Sequence, residues 1–177
     1  MPGLEEQRTL ESGYVTLDDL RRHGNIPPDE VLESRAVPIF DCIEEIPCTP
    51  CRDACPTGAV IMPTMNDKPR VNWEACTGCT LCAQACPGLA ITIVNIPFGK
   101  KVLKDPAKAL VSVPYEILPI PKKGERVALY DRGHRYLGEG EVFSVIRSHK
   151  YGTVLINVIV PKEIALEVKF VEVIRDE

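Results

Sequence analysis

The chain has 177 residues, of which 45% are hydrophobic, 6% aromatic and 26% charged, with a formal net charge of −4. That length suits one ordinary domain or a small cofactor-binding unit with added segments, and the composition is that of a globular protein, not a disordered or membrane one. No apolar stretch approaches the ~20 residues that cross a bilayer, and residues 1–10 are polar. Neither membrane insertion nor an export signal is therefore expected, and the chain reads as cytoplasmic.

Residues 1–39 form an N-terminal arm. Residues 1–41 carry nine Asp and Glu against four Arg, which accounts for the acidic balance of the whole chain. Thr16 is placed to cap a short helix running to Arg22, with Asp18 and Asp19 in its first turn and Gly24 ending it. Pro27 and Pro28 are expected to open a second short helix ending at Ser34. Such an arm either covers the unit that follows or docks onto a partner.

All eight cysteines lie between Cys42 and Cys86. With no export signal and long cysteine-free flanks, a metal site is the better reading than a disulfide framework. Cys76, Cys79, Cys82 and Cys86, followed by Pro87, give the run C-x2-C-x2-C-x3-C-P, and Gly78 allows a close backbone approach. Cys48, Cys51 and Cys55, followed by Pro56, repeat it, but Glu45 stands where the first cysteine of the run belongs. Three readings follow: Cys42 supplies the missing ligand through a longer loop, Glu45 supplies an oxygen, or the cluster lacks one iron. Cys42 is preferred because iron in such clusters takes soft sulfur over hard carboxylate. Structural zinc also uses C-x2-C pairs, but it usually joins two separated pairs, whereas here three ligands follow in close succession with a proline after the fourth.

These runs resemble the bacterial 2(4Fe-4S) ferredoxin domain over residues 40–94. The internal symmetry of that family is visible in CRDACPTGAVIM at 51–62 and CAQACPGLAITI at 82–93. Each half would pair a cysteine loop and a helical turn with a strand, at 60–62 and 90–94, and a further strand is expected at 70–73. In two-cluster ferredoxins the fourth cysteine of a run ligates the other cluster. The resemblance thus implies two 4Fe-4S clusters, one on Cys42, Cys48, Cys51 and Cys86, the other on Cys76, Cys79, Cys82 and Cys55. Asp41, Glu44, Glu45 and Asp53 flank the first loop and, if ionised and close, would disfavour the more negative reduced form.

Residues 96–123 read as a linker, because Pro97, Pro106, Pro114, Pro119 and Pro121 punctuate it and Lys100, Lys101, Lys104 and Lys108 keep it solvated. From 124 to 177, runs at 126–130, 138–147, 154–160 and 168–174 predict short strands, with a helical turn at 161–166. They suggest a small SH3-like β-barrel that docks to protein. Residues 119–177 hold ten Lys and Arg against nine Asp and Glu, far from the basic field that nucleic acid requires. The expected fold class is α+β: a two-cluster ferredoxin-like module (40–95) between an N-terminal arm and a C-terminal barrel.

His23, His134 and His149 fall in three different segments and are read as structural. No nucleophile stands beside a base motif, and the glycines at 133, 138 and 140 do not fit a dinucleotide fingerprint. No catalytic residue is assigned. The expected role is an electron-transfer subunit, not an enzyme by itself. The stretch CTPCRDACPTGAV resembles iron-sulfur subunits associated with flavin-dependent dehydrogenases, which implies such a partner. The alternatives are a free-standing ferredoxin carrier, and an RNA- or protein-binding module with structural clusters.

Overall fold

The computed structural model describes residues 12–148 and 150–175. Two short helices open it: α1, Leu17–Arg22, and α2, Asp29–Ser34. Thr16 and Asp19 form a reciprocal capping box on α1, the Thr16 hydroxyl accepting from the Asp19 amide and the Asp19 carboxylate accepting from the Thr16 amide at 2.8 Å. Gly24 follows with φ +73°, a conformation that turns the chain out of a helix at little cost for glycine.

Strand β1 (Val37–Phe40) leads into the cysteine segment, which holds α3 (Pro50–Asp53), β2 (Val60–Ile61), β3 (Arg70–Val71) and α4 (Leu81–Ala85). Then come β4 (Ile91–Asn95), a π-helical turn at Gly99–Leu103, and β5 (Lys108–Tyr115). The chain finishes with β6 (Arg126–Tyr130), β7 (Tyr136–Arg147), β8 (Val154–Pro161), a 3-10 turn at Lys162–Ile164 and β9 (Phe170–Val173).

β2 and β3 form a separate antiparallel pair, and the other seven strands make one antiparallel sheet in the order β1-β4-β5-β8-β7-β6-β9. Successive side chains of a strand point to opposite faces, and both faces of this sheet are buried near its middle. On one face Val37, Ile39, Val94, Val111, Val113, Ile156 and Val158 join Val127, Leu129 and Val142 in the main core. Leu20 of α1 and Leu32 of α2 close that core from the arm. On the other face Phe40, Ile91, Ile93 and Leu155 pack against Cys51, Val60, Met62, Cys82 and Ala83 of the cysteine segment.

The stretch expected to be an extended linker contains β5, which pairs with β4 on one side and along its whole length with β8 on the other. Its prolines misdirected the reading. Pro114 lies beyond Ser112, the last residue of β5 paired to β4, so it sits where the strand is bonded on one side only, a position at which proline is tolerated. Gly99 in the π-helical turn packs so closely on the start of β5 that a Cβ there would collide with the Lys108 carbonyl. The four C-terminal strands and the helical turn occur where expected. Together with β5 they make a curled sheet, and among the described residues no ladder joins β9 to β5 to close a barrel.

His23 is the C-terminal cap of α1, and His134 stacks on Tyr130 with ring centroids 4.4 Å apart; His149 lies outside the described residues. No helix among the described residues is long and apolar enough to cross a membrane.

The arm's role as cover is testable. Leu20→Ala, at a fully buried position, should cost about 2–5 kcal/mol. Leu118→Ala, at a position 79% exposed, should change stability by less than about 0.5 kcal/mol. Urea denaturation of the full chain measures both.

Candidate metal centres

The two cysteine runs are built alike. In the first, Thr49 precedes α3, Pro50 takes the first helical position, and Cys51 is buried against the second core. In the second, Thr80 precedes α4 in a left-handed conformation at φ +70°, and Cys82 is buried in the same core. The Gln84 amide donates to the Thr80 hydroxyl at 2.7 Å and ties the ends of that turn. The last cysteine of each run receives a backbone N–H from four residues further on: Ala59 donates to Cys55, and Ala90 donates to Cys86 Sγ at 3.4 Å.

The eight thiols separate into two groups, and each group draws on both runs. Cys42 lies in the field of Cys86 and Cys48, and Cys51 in that of Cys86, Cys48 and Cys42. These four line one small cavity with Phe40, Met62 and Ile91. Cys76 lies in the field of Cys55 and Cys79, and Cys82 in that of Cys76 and Cys79, with a smaller contribution from Cys51. Glu45 is exposed and does not line the cavity, whereas Cys42 is half-buried within it.

Burial dominates the electrostatics. It pushes the Cys51 thiol up to about 12, with the neighbouring cysteines Cys86, Cys48 and Cys42 adding to the rise. Cys82 is pushed up further in the same way. Cys42 rises through burial and then Cys86, Cys48 and Glu44, and Cys76 rises through burial opposed by the Gly78 N–H. Cys55 behaves oppositely: burial raises it, but the N–H groups of Val60, Thr57 and Ala59 and the Thr57 hydroxyl hold it below the ordinary thiol value. Thiolates crowded in apolar surroundings need a positive centre to be stable.

The donor set fits clusters better than a single ion. Among the described residues no three His, Cys, Asp or Glu converge as ligands to one metal ion. A 4Fe-4S cube is held by four cysteines, one to each iron, so its ligands ring a larger object. Soft thiolates in apolar walls, with backbone N–H groups aimed at sulfur, are what such a cube requires.

Second contacts steady these loops. Arg35 Nη1 donates to the carbonyls of Trp73 at 3.3 Å, Glu74 at 3.3 Å and Cys76 at 3.5 Å, clamping the entrance of the second run. Gly78, with φ +67°, approaches Ala36 so closely that a Cβ would stand 2.6 Å from its carbonyl oxygen. The close approach at this glycine is thus to Ala36, the residue before β1.

The acidic flank of the first loop differs from the sequence reading. Glu44 and Glu45 are exposed, and Asp53 pairs with Arg52 at 3.0 Å. Asp41, its side chain 11% exposed, instead sits between two cations, Arg132 and Lys169, each at 3.0 Å. Sequence reasoning passed over both cations and Arg35, since they come from distant segments and no local pattern marks them.

Comparison with known proteins agrees with this chemistry. The Fer4 family, described as a 4Fe-4S binding domain, matches residues 69–92, a span that holds all four cysteines of the second run. A ferredoxin-type protein NapF from Haemophilus influenzae is 36% identical over 76 residues, covering 40% of this chain and 43% of that protein. The ferredoxin-type protein NapF of Escherichia coli K12 is 36% identical over 52 residues, 28% of this chain and 32% of its own length. The chain thus spans less than half the length of these curated relatives, and no solved structure matches it. The chain carries a ferredoxin-type iron-sulfur domain. The match at residues 69–92 supports 4Fe-4S binding there, and the partial likeness to ferredoxin-type proteins supports a part in electron transfer.

The thiol environments predict an order of reactivity in protein freed of metal under native conditions. At pH 8 a thiol with its pKa near 12 is only about one part in 10⁴ thiolate, the reactive form. Iodoacetamide labelling read by peptide mass spectrometry should therefore modify Cys55 first and Cys51 and Cys82 last. Equal rates at all eight positions would mean that the site does not keep this shape without metal.

Proposed function

We propose that the chain is the electron-transfer subunit of a multi-subunit oxidoreductase, holding two 4Fe-4S clusters and receiving electrons from a flavin-containing dehydrogenase subunit. The observation that supports it best is the division of the thiols into two groups of four that cross the two runs. Cys42, Cys48, Cys51 and Cys86 would hold one cluster, and Cys55, Cys76, Cys79 and Cys82 the other. When bound, such clusters supply one-electron oxidation and reduction.

The residues of the chain do the rest. Eight thiolates would fill the ligand positions of two such clusters and leave no iron open for a substrate. Phe40, Met62 and Ile91 keep water from the first site, and the amides of Ala59 and Ala90 stabilise sulfur charge. Ile46, Ile61 and Met65 expose large apolar side chains on the cysteine segment, which suits a carrier that docks more than one that stays free. The C-terminal strands, read as an SH3-like docking unit, would extend that contact.

Iron and acid-labile sulfide on anaerobically purified protein, with the visible spectrum before and after dithionite, test the cluster reading. About eight irons per chain and bleaching on reduction are expected. Glu45→Gln should keep that count and Cys42→Ser should fall to about four; the reverse would make Glu45 the ligand. Zinc with no colour would overturn the reading. Affinity purification under the same conditions should bring down a flavoprotein whose substrate bleaches the clusters. A chain that purifies alone and exchanges electrons freely with several enzymes would make it a soluble carrier.

A further inference from the structure

Beside the first cysteine group lies an ion cluster that the ferredoxin module does not supply by itself. Lys169, just before β9, has a side chain only 8% exposed, and its ammonium donates to Asp41 Oδ2 at 3.0 Å and to the Leu89 carbonyl at 3.1 Å. Arg132, in the turn after β6, is 5% exposed; its Nε donates to Asp41 Oδ1 at 3.0 Å and its Nη1 to the Leu166 carbonyl at 2.9 Å. Asp41 adjoins Cys42, and Leu89 lies three residues beyond Cys86. One lysine from the C-terminal strands therefore bridges the two segments that bring Cys42 and Cys86 together.

Stability alone does not explain this arrangement. Buried ion groups recover little more than their desolvation cost and can often be replaced by apolar residues without loss. Here Arg132 Nη2 is buried with no hydrogen-bond partner among the described residues, an added cost. Two cations against one carboxylate leave a net charge of +1 in a poorly screened interior, around a cavity that Cys42 also lines. Burial pulls the Lys169 pKa down, opposed first by Asp41 and, least, by Cys86.

We propose that Lys169, locked by Asp41 and Arg132, is a positioning residue that raises the reduction potential of the cluster bound by Cys42, Cys48, Cys51 and Cys86. The inference rests on the two-cluster reading. Reduction adds one negative charge to a cluster, so a fixed buried cation favours the reduced form, and net charge is one of the factors that set cluster potentials. The C-terminal strands would then set the energy at which the ferredoxin module accepts an electron, besides any docking role.

The test is a redox titration of the full chain followed by electron paramagnetic resonance, with iron counted on each sample. In the unmodified protein, fewer than two titrating clusters would refute the two-cluster reading and not the tuning role. Given two, Lys169→Met should lower one midpoint so that its reduced-to-oxidised ratio at fixed potential falls about tenfold, or ~59 mV for one electron. The other midpoint should stay in place. Asp41→Asn removes the negative partner and should move the same midpoint upward, and Lys169→Arg, which keeps the positive charge, should leave it near the unmodified value. The shift should persist at 1 M salt, where surface charges are screened. Midpoints unmoved with iron retained, movement in the same direction for Lys169→Met and Asp41→Asn, or loss of iron in both would overturn the proposal.

Discussion

Strand β4 is hydrogen-bonded along both edges, to β1 through Phe40↔Ile91 and to β5 through Ile93↔Ser112. That double pairing joins the cysteine segment to the rest of the chain, because β4 begins five residues after Cys86 and β1 ends two residues before Cys42. The register between them sets where the first and last cysteines stand relative to each other. Alternation along β4 then sends Ile91 and Ile93 toward the cysteine loops and Val94 into the main core. The ligand groups and the large sheet are two faces of one structure.

The site is a contest between desolvation and compensation. Burial drives Cys51 and Cys82 away from the thiolate form, a cost that a bound metal centre would offset. Backbone amides supply part of the compensation, most visibly at Cys55. Arg35 contributes by fixing the entrance of one run, and the buried pair of cations around Asp41 by fixing the entrance of the other. The two entrances are secured by side chains from outside the cysteine segment: from the end of α2 in one case and from the C-terminal strands in the other.

Much of this was legible in the sequence because it is local. The runs around Cys48 and Cys76 declare their chemistry by spacing, and Thr16, Asp19 and Gly24 declare the limits of α1 by capping rules. The choice of Cys42 over Glu45 followed from ligand softness, and in the structure Cys42 faces the other thiols while Glu45 faces solvent. What stayed hidden is non-local. β5 carries prolines that read as a linker, and only the register with β4 and β8 shows that Pro114 is tolerated. Arg132 and Lys169 carry no motif; they meet Asp41 only because the sheet curls the C-terminal strands back over the start of the cysteine segment.

In the proposed arrangement each cluster takes three ligands from one run and the fourth from the other, so that the two runs are stapled together. Iron analysis of the double variant Cys55→Ser/Cys79→Ser tests it most directly, since those residues come from different runs but fall in one group. Damage to a single cluster is expected, with about four irons and one redox-active centre remaining. Loss of nearly all iron, with both centres gone, would contradict it and assign the clusters run by run.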